Sequence, residues 1–309
     1  MKKTSKILGI ISLSILIIIA LFFVGVFINN KIQLSREGKK IVSYGETVVI
    51  DGKKMQFQIS GKGEKTIVLL PGYMTAAPII DFKQLINELE KNYRVIAVEP
   101  FGYGLSDDTD KERSVENLTE EIHEVLVKQG INKYTIMGHS ISGVYSLEYI
   151  KKYPHEVEAF IGIDNSLPSQ GGADDNKEGT IEFLSKSGLF RLLSNMNANM
   201  LNIPDVGDKL GEQYKYISLK NIGSKATMNE GKSMLENFNK TAEIQYPKSL
   251  PVLYFLATES TDTDDNWLKI HQDMVKNSEK SAIKIIKGGH YLHHTESKQL
   301  AEFTASFLE

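Results

Sequence analysis

The stretch Tyr134-Thr-Ile-Met-Gly-His-Ser-Ile-Ser-Gly143 decides the fold. Its first residues form a short apolar run that predicts a strand, and a helical pattern follows from Ile141 to Lys152. Between them Ser140 stands in a sharp turn, and its neighbours are small because the backbone of such a turn is strained and crowded. A serine raised on a tight strand-to-helix turn is typical of a nucleophile elbow.

The elbow departs from the usual Gly-x-Ser-x-Gly pattern at one position. Ser142 stands where the second glycine is expected, and the glycine comes one residue later, at Gly143. Serine is a small replacement for glycine, so we interpret the pattern as a tolerated variant.

Strand and helix patterns alternate along most of the chain. Asp51-Gly52 between two β-rich runs predicts an antiparallel hairpin. The later apolar runs are rich in β-branched residues and predict strands buried on both faces. We therefore predict an α/β fold, a mostly parallel sheet with helices on both faces. The predicted strands cover 46–50, 53–59, 66–70, 93–98, 133–137, 157–163, 251–257 and 282–286, and helical patterns cover 81–91, 115–129, 141–152, 265–276 and 296–308.

One long interval, from Ser166 to Leu250, contains no convincing buried strand. A loop of that length is not structureless in a compact domain, and helical patterns occupy 180–195, 208–219 and 225–238. We interpret residues 166–250 as a helical cap inserted between strands six and seven, above the edge where ligands bind in open α/β sheets. Residues 46–165 and 251–309 then form the core.

The N-terminal residues 1–29 predict a transmembrane signal-anchor. Lys2, Lys3 and Lys6 precede an uncharged run, Ile7–Ile28, that is long enough to cross a bilayer as a helix. The leading positive charges predict an N-terminus inside and a catalytic domain outside. A cleaved signal peptide is the alternative, although its apolar region is shorter and is followed by a small-residue cleavage site. Residues 30–45 are interpreted as a juxtamembrane spacer.

The composition excludes several classes of protein. The chain has no cysteine, which excludes disulfides and thiolate metal sites. Its net charge is −3, with lysine and glutamate interspersed, so nothing indicates a nucleic-acid partner. The residues after the anchor approach the upper size of one globular domain.

A serine hydroxyl needs a base to take its proton, and His290 is the candidate base. It follows the last predicted strand, and the two glycines before it allow the loop to bring the imidazole over the elbow. His293 and His294 with His290 superficially resemble a metal cluster. No acidic residue adjoins them and their spacing does not favour convergence, so we predict neither a metal site nor a cofactor.

The base in turn needs an acid to orient it, and three candidates stay open. Asp164 closes the strand at 157–163, while Glu259 and Asp262 lie just beyond the strand at 251–257. Each satisfies the chain order serine, acid, histidine.

Two backbone amides are expected to form the oxyanion hole. One belongs to Ile141, directly after the serine, and the other to Tyr73, in the loop after the strand at 66–70. Gly72 permits the sharp turn that this loop needs.

The chain resembles the α/β-hydrolase superfamily from about Glu46 to Leu308. The resemblance lies in Val68-Leu-Leu-Pro-Gly-Tyr73, in the segment Val95–Asp107 with Glu99 at a usual aspartate, in Gly138-His139-Ser140 and in Gly289-His290. It implies a Ser–His–acid hydrolase with a helical cap.

The chain departs from that family at the usual acid. Where relatives often show a strand followed by Gly-x-x-Asp, this chain has Ala257-Thr-Glu-Ser260, with serine at the aspartate's place. The departure favours Asp164, because some lipase-like members carry the acid after the preceding strand.

These features predict a membrane-anchored serine hydrolase that cleaves an ester, thioester or amide of a small-molecule or lipid-like acyl substrate through an acyl-enzyme on Ser140. Two alternatives stay open. One is an acyltransferase of the same fold, and the other is a non-catalytic binding or sensor protein that retains the fold.

Overall fold

A central sheet organises the part of the chain that the computed structural model describes, residues 2–173 and 177–309. Its eight strands lie in the order β1-β2-β4-β3-β5-β6-β7-β8, and the predicted α/β class is confirmed. β2 pairs antiparallel with β1 and β4, and the remaining neighbours are parallel. The strands are β1 Glu46–Ile50, β2 Lys53–Ser60, β3 Thr66–Leu70, β4 Arg94–Glu99, β5 Tyr134–His139, β6 Val157–Ile163, β7 Val252–Ala257 and β8 Ser281–Ile286.

Helices cover both faces of the sheet, which explains why its central strands are apolar at almost every position. β3, β5 and β7 are buried along their whole length. One apolar core joins one sheet face to the helices that carry Val125, Leu147 and Val275, and a second core joins the other face to those that carry Leu85 and Leu300. The helices of the core are α2 Pro78–Asp81, α3 Lys83–Leu89, α4 Val115–Lys128, α5 Ser142–Lys152, α10 Thr258–Thr263, α11 Trp267–Val275, α12 Leu292–Thr295 and α13 Ser297–Leu308.

The insertion between β6 and β7 is helical, as the sequence predicts. The pattern at 180–195 forms two helices rather than one, because the chain turns at Gly188 with φ of 83°, a left-handed conformation that ends a helix. Residues 174–176 of this insertion lie outside the described residues. Its helices are α6 Glu178–Ser187, α7 Leu189–Met196, α8 Asp208–Asn221 and α9 Lys225–Thr241, with short 3₁₀ turns at Pro168–Gln170 and Ala198–Leu201.

The N-terminal apolar run forms part of one long helix, α1, Lys2–Gly38. Its apolar part is exposed and is long and apolar enough to cross a membrane. The segment 30–45, which we predicted as a spacer, is helical through Gly38. One face of this extension packs on the insertion, because Asn30 and Glu37 contact Arg191 of α7.

Candidate active site

Ser140 lies on the turn between β5 and α5 in a strained conformation. Its φ is 52°, a left-handed value that is uncommon for a residue with a side chain. The turn is held on both sides, because Ser140 N donates to Ile163 O at 3.2 Å and Ser166 N donates to Ser140 O at 2.8 Å. These two hydrogen bonds stabilise the strained backbone. The turn places the serine at the end of β5, as in a nucleophile elbow.

Ser142, the departure from the glycine pattern, is a buried link between two parts of the site. Its Oγ donates to Pro71 O at 2.5 Å and so ties the start of α5 to the loop after β3. Its Cβ is accommodated because Gly138 opposite has none; a Cβ at Gly138 would lie 3.1 Å from that of Ser142. Gly143 is required at a second close contact, where the backbone of Ser166 approaches α5. A Cβ at Gly143 would lie 2.3 Å from Ser166 O.

The loop after β3 lies directly against the elbow. A Cβ on Gly72 would lie 2.8 Å from His139 Nδ1 and 3.1 Å from Ser140 Cβ, so only glycine fits without displacement. In the described part of the chain, no hydrogen bond engages the backbone N–H of Tyr73 or of Ile141. These two free amides flank the elbow, as donors for an oxyanion must.

We expect Gly72→Ala to lower kcat for ester hydrolysis by about 10²- to 10³-fold, the usual effect of losing one oxyanion donor. The new methyl group pushes the loop and the Tyr73 amide away from Ser140. Steady-state kinetics checks this, with Gly179→Ala as the matched control because a Cβ there meets nothing within 4 Å. Unchanged kcat in Gly72→Ala would contradict the assignment of Tyr73.

His290 and Asp164 are hydrogen-bonded to each other. His290 Nδ1 lies 2.6 Å from Asp164 Oδ2, and Asp164 is fully buried while the imidazole is partly exposed. No hydrogen bond joins Ser140 Oγ to His290 within residues 2–173 and 177–309. Such catalytic hydrogen bonds often form only when substrate binds.

Four hydrogen bonds hold the Asp164 carboxylate. Oδ1 accepts from Ala257 N and Trp267 Nε1, both at 3.0 Å, and Oδ2 accepts from Ser260 Oγ at 2.5 Å as well as from His290. Burial alone would raise the pKa of Asp164, but the hydrogen bond and charge of His290, with the other donors, hold that pKa below its usual value. The Asp164 carboxylate is therefore favoured in its ionised form beside the imidazole.

The two other candidate acids lie elsewhere. Glu259 lies at the rim, with its carboxylate against Gly289, and Asp262 is exposed on α10. Among the described residues His290 has no hydrogen bond to either.

The sequence did not indicate Ser260 and Trp267 as hydrogen-bond partners of Asp164. Ser260 offered a signal, since it occupies the aspartate's place in the Gly-x-x-Asp pattern.

A histidine–aspartate cluster supports the His290 loop, and the expectation that these histidines lack an acidic neighbour was wrong. Asp81 of α2, distant in sequence, is the acidic partner of both His293 and His294, with Nε2–Oδ distances of 2.7 and 2.9 Å. Tyr214 O–H also donates to Asp81, at 3.1 Å. Three groups of this type are a possible metal set, yet each ring nitrogen that faces Asp81 serves as a hydrogen-bond donor. The arrangement fits a buried hydrogen-bonded network.

The same network explains the pKa shifts around it. Burial would raise the pKa of Asp81, but the adjacent His293 and His294 hold it well below its usual range. Burial lowers the pKa of His293 and of His139. The neutral His139 lies beneath the site, where its Nε2 lies 3.1 Å from His290 O and donates to it. His139 therefore positions the backbone of the loop that carries the candidate base.

An apolar cavity of about 240 Å³ lies between the core and the insertion. Its core side includes Tyr73, in the loop after β3, and Tyr291, the residue after His290. The Tyr73 hydroxyl donates to Thr227 O of α9 at 3.0 Å, so the ring links the loop after β3 to the insertion. The cavity therefore adjoins the candidate active site at Tyr73 and Tyr291.

Comparison with known proteins identifies the family. A profile of the family described as alpha/beta hydrolase fold matches residues 65–297. The chain belongs to the alpha/beta hydrolase fold family. This hydrolase is 28% identical to YbdG, an uncharacterized protein of Bacillus subtilis (strain 168), over 322 residues that cover 100% of this chain and 99% of YbdG.

Solved structures share the fold of this hydrolase. A bromoperoxidase from Bacillus anthracis matches with a TM-score of 0.67 at 19% identity, covering 86% of this chain and 99% of that one. The epoxide hydrolase CorEH matches with a TM-score of 0.67 at 15% identity, covering 86% and 98%. At these identities the likeness concerns the fold, and family membership together with such neighbours supports a hydrolase.

Proposed function

We propose that this protein is a serine hydrolase that cleaves a carboxylic ester, thioester or amide through an acyl-enzyme on Ser140. The observation that carries the proposal is the contact of 2.6 Å between His290 Nδ1 and the buried carboxylate of Asp164, beside a serine held at a φ of 52°. Epoxide hydrolases of this fold use an aspartate nucleophile, and the elbow of this chain carries serine at that position.

Each residue has one role in the proposed reaction. Ser140 Oγ attacks the substrate carbonyl while His290 Nε2 takes its proton, and Asp164 holds the ring in the tautomer that leaves Nε2 free to accept. The amides of Tyr73 and Ile141 donate to the oxyanion. His290 then gives the proton to the leaving group, and a water activated by His290 releases the acyl group and restores the serine. No metal ion or cofactor enters this scheme.

We also propose that α1 anchors the enzyme in a membrane, with residues 1–29 as the anchor and the catalytic domain outside. Its apolar length supports the span, and the lysines before it favour an N-terminus inside. Residues 46–165 and 251–309 then act as the hydrolase core, and residues 166–250 act as its cap.

A serine-reactive fluorophosphonate tests the chemistry directly. We expect the folded wild-type protein to be labelled at Ser140 and to hydrolyse short acyl esters, and we expect Ser140→Ala to do neither. Absence of labelling and of turnover in correctly folded wild-type protein would favour a non-catalytic binding protein.

A further inference from the structure

The extension of α1 beyond its apolar run is fastened to the cap by a buried arginine. Arg191 of α7 is only 5% exposed, and its Nε donates to Asn30 Oδ1 at 2.8 Å. Its two terminal nitrogens donate to the two carboxylate oxygens of Glu37, each at 2.7 Å. Asn30 and Glu37 are two turns apart on one face of α1, so the contact fixes the direction of the helix as well as its position.

The contact between α1 and the cap begins within the apolar run itself. At Gly188, where α6 ends and α7 begins, a Cβ would lie 2.7 Å from Asn30 Cβ and 3.0 Å from Val26 O. Val26 belongs to the run Ile7–Ile28, which is about 33 Å long at 1.5 Å per residue and matches the hydrocarbon thickness of a bilayer. The junction of α6 and α7 is therefore held level with the edge of the hydrocarbon.

The helices at this junction expose large apolar side chains. Phe183 of α6 is 61% exposed and Met196 of α7 is 78% exposed, and Leu193 of α7 is also exposed. Exposed apolar side chains grouped on adjoining elements mark a surface that contacts a partner or a membrane.

The same helices form a wall of the cavity beside the candidate active site. Phe190, the residue before Arg191, lines that cavity together with Ile181 of α6 and with Met200, which is partly exposed at its edge. Arg191 thus binds α1, and the adjacent Phe190 lines the same cavity as Tyr73 and Tyr291. The cavity therefore extends from the helices that contact α1 to the two tyrosines that adjoin the candidate active site.

We propose that the exposed faces of α6 and α7 rest on the lipid bilayer that holds α1, and that the substrate is an acyl lipid drawn from that bilayer into the cavity. This inference rests on the proposed serine hydrolase and its membrane anchor. It adds the class of substrate and the surface that receives it.

The test uses the full chain in vesicles of phosphatidylcholine and phosphatidylglycerol and two substrates, a water-soluble p-nitrophenyl butyrate and a fluorogenic diacylglycerol embedded in the vesicles. We expect Phe183→Asp combined with Met196→Asp to lower hydrolysis of the embedded ester by at least about tenfold, because two apolar contacts with lipid are lost. Hydrolysis of the soluble ester stays within about twofold. Val127→Asp, on the exposed side of α4 in the core, is the matched control and changes neither rate.

The outcomes separate the two proposals. If the wild type hydrolyses neither ester, the serine-hydrolase proposal fails and the lipid inference falls with it. If the wild type hydrolyses only the soluble ester, the lipid inference alone is overturned. It is likewise overturned if the double variant lowers both rates equally or changes neither rate.

A second measurement does not depend on catalysis. Because the chain contains no cysteine, a single introduced cysteine can be labelled selectively with a dye. Met196→Cys carrying an environment-sensitive nitrobenzoxadiazole dye is expected to shift its emission to the blue in vesicles and to be quenched by doxyl-labelled lipid. The same dye at Val127→Cys is expected to do neither. Equal quenching at both positions, or at neither, would overturn the proposed bilayer contact.

Discussion

Replacing Ser140 by alanine is expected to lower kcat for ester hydrolysis by a factor on the order of 10⁶, the effect seen when a serine nucleophile is removed from a complete triad. Without the hydroxyl no acyl-enzyme forms, and only the oxyanion amides and substrate binding still accelerate the reaction with water. Single-turnover and steady-state assays of purified protein measure this loss.

Ser146→Ala is the matched control for that substitution. Ser146 is a buried serine of the helix that follows the elbow, and its Oγ donates to Ser142 O at 2.6 Å, within the helix. Its loss is expected to change kcat by no more than about twofold, and the melting temperature of Ser140→Ala is expected to stay close to that of the wild type. A Ser140→Ala protein that retained a few per cent of the activity would refute the acyl-enzyme mechanism.

Replacing Asp164 by asparagine is expected to lower kcat by about 10⁴-fold at neutral pH. The amide oxygen can still accept from Ala257 N and Trp267 Nε1, which places the amide nitrogen toward His290. His290 Nδ1 must then accept a hydrogen bond, so its proton moves to Nε2 and the ring no longer takes the proton of Ser140. The loss appears in kcat rather than in KM, because substrate binding does not involve this buried group.

Glu259→Gln and Asp262→Asn are the controls, and both are expected to retain activity within about twofold. Ser260→Asp in the Asp164→Asn background is a sharper variant, since Ser260 Oγ lies 2.5 Å from the carboxylate oxygen that contacts His290. It is expected to restore part of the lost activity by returning a carboxylate to the same place. Full activity in Asp164→Asn, together with loss of activity in Glu259→Gln or Asp262→Asn, would show that the acid lies on α10 instead.

Local patterns were sufficient to predict the sheet, the elbow and the interval between β6 and β7. A strand buried on both faces needs a continuous apolar run, and a turn as tight as the one at Ser140 needs small neighbours. Both features therefore depend on residues that are consecutive in the sequence. The helical character of the insertion was predicted for the same reason. Its division at Gly188 was not, because a glycine inside a helical pattern is compatible with either a continuous or an ended helix.

Local patterns could not predict contacts between residues that are far apart in the sequence. Asp81 meets His293 and His294 because α2 and α12 pack beside the same neighbour, α3, and no local signal pairs residues so far apart. The helical extension of α1 escaped prediction in the same way. Its polar residues resemble a spacer when taken alone, and their role depends on Arg191, more than a hundred residues later.

The sequence by itself determined that Ser140 would stand on an elbow and that His290 would follow the last strand, because both depend on short stretches with strong conformational preferences. It left three carboxylates as partners for His290, since each follows a strand of the same parallel sheet and all such ends meet at one edge. Only the tertiary structure decided that Asp164 contacts the imidazole. The distance across that edge depends on how β6, β7 and the loop after β8 pack together, and Ser260 and Trp267 from the neighbouring loop complete the hydrogen bonds that hold the carboxylate there.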